Sequence, residues 1–168
     1  MSQVSTVITI PIRNSSRKKT YKTLGSRTIK IAPILNTGRN ITMDNYFISV
    51  PLAQDLLAVR TTIVATLRKN KKEIPLIFLD WKNRPAPSSM FGFQKDAILV
   101  SYKRKPNKNV LLLSTFHSGD INDPQSRETQ KPETVTFYNL TKGGADVVDE
   151  LKIQLLCIQV LLPVAFAN

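Results

Sequence analysis

Three aspartates are the residues of this sequence best suited to chemistry. Asp44 ends the stretch I-T-M-D, and Asp146 and Asp149 lie three residues apart in T-K-G-G-A-D-V-V-D-E. Hard divalent cations such as Mg²⁺ prefer oxygen ligands, and one Mg²⁺ ion takes only one or two carboxylates. Two such ions can hold the attacking and leaving oxygens of a phosphodiester. These residues therefore permit metal-dependent phosphoryl transfer.

Each aspartate also has a purely structural interpretation, which the spacing does not exclude. Asp44 and Asn45 can bond to nearby backbone in a turn that follows a strand. Asp146 and Asp149 can stabilise the first turn of a helix, where negative charge favours the helix dipole. On that helix, the three-residue spacing places both carboxylates on one face.

The remaining composition makes several other kinds of site unexpected. His117 is the single histidine and Cys157 the single cysteine. The chain therefore lacks the ligands for a structural zinc site and the residues for most Ser-His or Cys-His catalytic arrangements. A lone cysteine also gives no intrachain disulfide and favours a reducing compartment. Carboxylates must carry any chemistry in this chain.

The charge balance predicts a polyanionic partner. The chain has 24 Lys+Arg against 12 Asp+Glu, a net charge of +12 at pH 7. Nucleic acid is the commonest partner of so basic a domain. A membrane partner is not expected, because no convincing basic amphipathic helix occurs. Polar residues and Pro163 interrupt the apolar tail, so we expect a buried helix there rather than a membrane span.

Basic clusters supply candidate contacts to phosphates. The loop R-K-N-K-K-E has four basic residues and one acid, and K-R-K-P-N-K-N resembles a hairpin tip. Lys142 precedes G-G, and either lies in an ordinary loop or helps the backbone approach a phosphate at a helix N-terminus. Phosphate contacts supply affinity but do not read sequence. The candidates are Arg68, Lys69, Lys71, Lys72, Lys103, Arg104, Lys105 and Lys142.

An α/β framework is predicted to position these residues in one domain, with or without an insertion. Residues 41–47 indicate a strand ending at Asp44, and Ser49 with Pro51 begins a helix. The β-branched residues 61–67 indicate a buried strand, so a parallel strand–helix–strand unit is expected. Further predictions are strands at 89–94, 97–102, 110–115 and 134–138, a loop at 118–133, and a helix from about Ala145.

Several ordered blocks resemble piggyBac-type transposases. They include N-T-G-R-N-I-T-M-D-N-Y-F, T-T-I-V-A-T-L-R-K-N-K-K-E-I-P, L-V-S-Y-K-R-K-P-N-K-N-V-L-L-L-S-T and Y-N-L-T-K-G-G-A-D-V-V-D-E. The resemblance implies an α/β chain with an incomplete RNase H-like (DDE transposase) fold and a β-rich insertion domain. It places the partial core at 23–68 and 134–151, the insertion at 69–133, a poorly organised segment at 1–22 and a divergent apolar tail at 152–168.

The same resemblance implies metal-dependent DNA cleavage and strand transfer at TTAA sites in the nucleus. Asp44 takes the place of the second catalytic acid of the family, Asp146 the third, and Asp149 a further acid. Asp44 and Asp146 would hold Mg²⁺ or Mn²⁺. Arg68 and Lys71 match basic residues linked to DNA handling. The implied partners are transposon-end DNA and a second copy of the chain, with no membrane.

Two departures from the family pattern bear on activity. The first catalytic acid of the family lies upstream of M-D-N-Y-F, whereas no acidic residue precedes Asp44 here. After Leu151 an apolar tail replaces the rest of the family's catalytic domain. We therefore expect a truncated copy that does not catalyse by itself. The alternatives are a non-catalytic DNA-binding or partner-binding module derived from a transposase, or a translated copy without function.

Overall fold

The computed structural model describes residues 5–9, 35–45, 48–143 and 159–160. The strands in these ranges are β1 (Ser5–Thr9), β2 (Asn40–Met43), β3 (Thr62–Thr66), β4 (Ser88–Gln94), β5 (Ala97–Lys105), β6 (Lys108–Ser114) and β7 (Gln159–Val160). The helices are α1 (Val50–Ala58), α2 (Leu76–Leu79), α3 (Glu133–Thr141) and a 3₁₀ helix (Pro124–Thr129). Within the described ranges, all seven strands form one mixed sheet in the order β1-β4-β5-β6-β3-β2-β7.

The predicted strand–helix–strand unit is confirmed by β2, α1 and β3. The two strands are parallel, and their register runs from Asn40 opposite Thr62 to Met43 opposite Ala65. Ser49 caps α1, because its Oγ accepts a hydrogen bond of 3.3 Å from the backbone N–H of Leu52. This cap satisfies one of the N–H groups that a helix leaves unpaired at its start. The unit brings the carboxyl ends of β2 and β3 side by side.

The strands β4, β5 and β6 form an antiparallel meander that continues the same sheet. β5 pairs with β4 on one side and with β6 on the other. β6 then pairs antiparallel with β3, with Ala65 opposite Leu113. Strands assigned by resemblance to an insertion thus extend the sheet of the predicted core. The division of the chain into two domains stays a prediction.

Hydrophobic residues lie on both faces of the sheet, which makes it the middle layer. Neighbouring residues of a strand point to opposite faces, and Leu111 and Leu113 join one buried cluster while Leu112 joins the other. α1 contributes Leu56 to the first cluster. α3 contributes Val135 to the second. Each large side chain buried in this way stabilises the fold by roughly 1.5–3 kcal/mol.

The strand predicted at 134–138 is wrong, because these residues lie in α3. The error came from β-branched and aromatic residue types, which favour strands only weakly outside their tertiary context. Pro132 occupies the N-cap position, and Thr134, Val135 and Thr141 are buried. Thr134 and Thr141 lie seven residues apart, about two helical turns, and so share one face of α3.

Two segments differ from the sequence predictions at the edges of the sheet. Ser5–Thr9 pairs parallel with β4, although residues 1–22 were expected to be poorly organised. Gln159–Val160 pairs antiparallel with β2, where a buried helix was predicted. The helix predicted from Ala145 lies outside the described residues. Among the helices that the structure does describe, none combines the length and the apolar character needed to cross a membrane.

Candidate nucleic-acid interface

Asp44 directly follows β2 and is exposed, as the sequence predicts for a residue at a strand end. Two hydrogen bonds tie this strand end to β3. The Thr66 hydroxyl donates to Asp44 Oδ1 at 3.1 Å. Arg68 Nε donates to Asn45 Oδ1 at 3.0 Å. Open α/β sheets collect functional groups at the carboxyl ends of parallel strands, and Asp44 stands at such an edge.

An open groove of about 670 Å³, which we call the basic groove, runs from Asp44 to the β5–β6 hairpin and α3. Asp44 is the only acidic residue among its described lining residues. The basic ones are Lys69, Arg104, Lys108, Lys131 and Lys142. The groove therefore presents one carboxylate on a positively charged surface. Such a surface attracts a polyanion by long-range electrostatics as well as by direct contact.

α3 forms one wall of the basic groove and is held to the sheet by side-chain hydroxyls. Thr141 Oγ1 lies 2.8 Å from Thr42 Oγ1 in a buried hydrogen bond between α3 and β2. The hydroxyl of Tyr138 lies 3.4 Å from Thr66 Oγ1 on β3. These contacts fix the last turn of α3 close to the strand ends that carry Asp44.

Lys142 lines the basic groove at the C-terminus of α3. It is the C-cap residue of α3, and its backbone N–H donates to the Tyr138 carbonyl at 2.9 Å. Gly143, the residue after it, is again helical, so the hypothesis that the backbone here approaches a phosphate at a helix start stays a prediction. A positive side chain is favourable at a helix C-terminus because of the helix dipole. Its ammonium remains a candidate for phosphate contact.

The prediction that Lys103 contacts DNA is wrong, because its side chain is part of the fold. Lys103 is only 4% exposed. Its ammonium donates to the carbonyls of Lys82 at 2.9 Å and Arg84 at 2.5 Å. These partners place the charge under the segment that precedes β4. The next residues, Arg104 and Lys105, are exposed at the hairpin tip.

The loop after β3 keeps most of its predicted cations on the surface. Arg68, Lys69 and Lys72 are exposed, and Lys71 is half-buried. The ammonium of Lys69 lies 4.1 Å from the centre of the Trp81 ring, within the range of a cation–π contact. Partial burial, and secondly the charge of Lys82, lower the pKa of Lys69. Lys69 is the cation of this loop that lines the basic groove.

Two of the basic residues that line the groove, Lys108 and Lys131, were not among the predicted DNA contacts. Lys108 belongs to the same K-R-K-P-N-K-N turn as Arg104 and Lys105, so the charge of that turn was a sufficient signal. Lys131 lies in the long polar loop and reaches the groove only through the tertiary fold. No local pattern marks it. Asp146 and Asp149 lie outside the described residues, and the described part of the chain contains no cluster of three side chains able to hold a metal.

The single histidine belongs to the fold and does not line the groove. His117 Nδ1 lies 2.8 Å from the hydroxyl of Ser114, a fully buried residue. The imidazole packs edge-on against Phe116 and Phe137, with ring centres 5.0 and 5.2 Å away. Burial lowers the pKa of His117 to about 4. The hydroxyl of Ser114 also accepts from two backbone N–H groups, so this pair closes a turn and is no exposed nucleophile.

Comparison with known proteins identifies the family. The family model described as Transposase IS4 matches residues 13–159 of this chain. The chain belongs to the piggyBac-type transposases of this family. A solved structure, the cryo-EM structure of piggyBac transposase synaptic complex with hairpin DNA, is 39% identical with a TM-score of 0.68. The match covers 83% of this chain but 29% of that one, so this transposase domain spans less than a third of the solved protein.

Proposed function

We propose that this piggyBac-type domain binds the DNA backbone in the basic groove. The observation that carries the proposal is the groove itself, where five described cations surround the single carboxylate of Asp44. Lysine and arginine bind phosphates largely by neutralising their charge and releasing counterions. The cations come from the loop after β3, the hairpin tip, the loop before α3 and the C-terminus of α3. They therefore line a continuous surface on which a nucleic acid backbone can lie.

Asp44 is proposed as a ligand of Mg²⁺ or Mn²⁺ in an RNase H-like centre. Its exposed carboxylate offers the hard oxygen atoms that such an ion prefers, and it is the only carboxylate among the described lining residues of the basic groove. When bound, the ion supplies charge stabilisation and activation of an oxygen nucleophile at the phosphodiester. The chain's own contribution is to hold the carboxylate at the strand end and the phosphates on the surrounding cations.

Asp146 is proposed as the second ligand, with Asp149 as a further acid. Support comes from the buried hydrogen bond that fixes Thr141 to Thr42, two residues before Asp44. This contact anchors the last described turn of α3 to β2, and the role of Asp146 itself rests on the family pattern.

Cleavage by these 168 residues alone is not part of the proposal. The family pattern adds a first acid upstream of Asp44, and residues 1–43 contain no Asp or Glu. We propose that the chain binds DNA and does not cleave it on its own. Cleavage and strand transfer at TTAA sites, in the nucleus and with a second copy of the chain, are proposed for the whole transposase.

The test combines a salt titration of DNA binding with a strand-cleavage assay. A labelled duplex with TTAA and a scrambled duplex are titrated by anisotropy over a range of salt concentrations. We expect log Kd to rise with log salt with a slope of about 4–5, if each of the five groove cations meets one phosphate. We expect no strand cleavage with Mg²⁺ or Mn²⁺. Binding without salt dependence contradicts the groove as the DNA site.

A matched control separates the groove from general charge. Lys95 lies in the β4–β5 turn, at the other end of β5 from the hairpin tip. The nine residues of β5 place these two ends about 30 Å apart. Lys95→Gln should leave the salt slope unchanged, whereas Lys108→Gln should lower it by about 0.9. Metal-dependent cleavage that disappears in Asp44→Ala would show that a complete centre assembles after all.

A further inference from the structure

We propose that Trp81 is a positioning residue that holds the ammonium of Lys69 in the basic groove for contact with a DNA phosphate. The inference rests on the proposed binding of DNA in this groove and adds a residue outside it. Lys69 is one of the groove's described lining residues, and Trp81 is not among them. The ring would therefore act on DNA through the lysine that it contacts.

The ammonium of Lys69 lies over the Trp81 ring, 4.1 Å from its centre. Cation–π contacts form within about 6 Å, and tryptophan is the strongest aromatic partner. A long lysine side chain is otherwise free to adopt many rotamers, and it loses that freedom when it binds a phosphate. The ring carries no net charge, so it can restrict the lysine and leave its positive charge for the DNA. A carboxylate in the same place would cancel that charge.

The segment that carries the ring is fixed by the fold. The carbonyl of Trp81 accepts a hydrogen bond of 3.3 Å from the backbone N–H of Arg84, which closes a turn before β4. The carbonyl of the next residue, Lys82, accepts from the buried ammonium of Lys103 at 2.9 Å. That ammonium also lies 5.9 Å from the centre of the Trp81 ring. The ring is therefore a firm support for the more mobile side chain of Lys69.

Lys69 is exposed although it contacts the ring. An ammonium has three N–H donors, so it can face the ring and still donate to a phosphate oxygen. Partial burial, and secondly the like charge of Lys82, lower the pKa of Lys69. A phosphate beside Lys69 favours its charged form. Bound DNA would thus offset the electrostatic cost of holding Lys69 and Lys82 close together.

The experiment measures the Kd of the complete 168-residue chain for a labelled DNA duplex, by anisotropy at one fixed salt concentration. Trp81→Leu removes the π face and keeps every charge, and should raise the Kd about two- to fivefold, the range of an exposed cation–π contact. Trp81→Phe restores an aromatic face and should recover most of the lost affinity. A thermal unfolding midpoint for each variant shows that it is folded.

A double-mutant cycle separates positioning from a general structural role of the ring. In a Lys69→Gln background, Trp81→Leu should have no further effect on the Kd, because the ring has no cation to hold. Lys108→Gln is the matched control, since Lys108 is a groove cation at the hairpin tip. In that background Trp81→Leu should raise the Kd by the same factor as in the unaltered chain. An equal effect of Trp81→Leu in both backgrounds would overturn the inference.

The outcomes distinguish this inference from the proposed function. If Lys69→Gln lowers the salt slope by about 0.9 while folded Trp81→Leu binds as the unaltered chain does, Lys69 contacts DNA without the ring and the groove stands. Tighter binding by Trp81→Leu would mean that the ring competes with DNA for the lysine, and would also overturn the inference. If the unaltered chain binds DNA without salt dependence, both proposals fail.

A second ring-free variant covers a failure to fold. Trp81→Met keeps a large apolar side chain without a π face, and replaces Trp81→Leu in the cycle if that variant is unfolded. Unfolding of both would make the ring a structural group and overturn its positioning role.

Discussion

The base and the tip of the β5–β6 hairpin use the same residue types for opposite purposes. What we call the base is the covered part of the hairpin directly below the tip, residues 101–103 with Asn109, where the ammonium of Lys103 is buried and bound to two backbone carbonyls. At the tip, Arg104, Lys105 and Lys108 are exposed. The last structural cation, Lys103, and the first accessible one, Arg104, are adjacent in the sequence. A count of charges in the sequence therefore overstates the charge that a polyanion can reach.

Neighbouring polar groups at the base also serve the fold. The guanidinium of Arg84 donates to the Ser101 hydroxyl at 2.8 Å and to the Asn109 side chain at 3.2 Å, which joins the segment before β4 to both strands of the hairpin. Burial lowers the pKa of Arg84, an effect that nearby Asp80 partly opposes. Buried polar groups of this kind are costly when they lose a partner. Substitutions at the base should therefore lower the stability of the fold, whereas substitutions at the tip should weaken DNA binding.

The largest effect is expected for Lys103→Met. Methionine keeps a long apolar stem but leaves the carbonyls of Lys82 and Arg84 without their donor. The free energy of unfolding should fall by about 3 kcal/mol, because two charge-assisted hydrogen bonds are lost in a buried place. Urea unfolding, followed by the fluorescence of the single tryptophan, Trp81, measures this. Lys105→Met is the matched control and should change the free energy of unfolding by less than about 0.5 kcal/mol. Equal losses of unfolding free energy in the two variants would contradict the distinction between base and tip.

A second test concerns His117, a half-buried basic group just beyond β6. Its pKa is about 4 in the folded chain, against an ordinary 6.5. The unfolded chain therefore takes up a proton first as the pH falls, so stability is fully present above pH 6.5 and decreases towards pH 4. The loss should be about 2 kcal/mol between roughly pH 8 and pH 5. The free energy of unfolding in urea is measured at both pH values for the unaltered chain and for His117→Gln. If the variant shows the same pH dependence as the unaltered chain, groups other than His117 cause it.

The smallest effect on stability, with a clear effect on binding, is expected at the tip. The combined change of Arg104, Lys105 and Lys108 to glutamine should alter the free energy of unfolding by less than about 0.5 kcal/mol per substitution. The salt slope of DNA binding should fall by about 1.8, if the two groove cations Arg104 and Lys108 each meet one phosphate and Lys105, which does not line the groove, meets none. Anisotropy titrations at several salt concentrations measure the slope. An unchanged slope in a stable variant would place the DNA elsewhere on the domain.

The sequence predicted the parts of the fold that rest on local patterns. Ser49 and Pro51 marked the start of α1, and the β-branched run marked β3, because caps and buried strands have strong local signals. α3 was mistaken for a strand because its β-branched residues were weighed above their spacing. The position of Asp44 at a strand end was predictable from the same unit.

The candidate site was only partly accessible to sequence reasoning. The loop and hairpin cations were found as charged turns, but whether a lysine is buried depends on what covers it. Lys103 is covered by the segment that contains Lys82 and Arg84, and nothing near it in the sequence reports this. Lys131 and Thr66 join the groove through contacts between distant parts of the chain. Such contacts arise from tertiary packing, and no periodic pattern in the sequence marks them.

The pairing of β3 with β6 has a consequence for how this domain folds. The meander of β4, β5 and β6 is made of neighbouring segments, whereas β3 must meet β6 from nearly fifty residues away, as in Ala65 opposite Leu113. Contacts that close long loops form more slowly than local ones. The lining of the basic groove comes from both of these parts and from α3, so neither part alone presents it. We therefore expect that, in a refolding experiment, affinity for DNA develops only after the meander of β4, β5 and β6 has formed. DNA binding would then report the last assembly step, the pairing of β3 with β6.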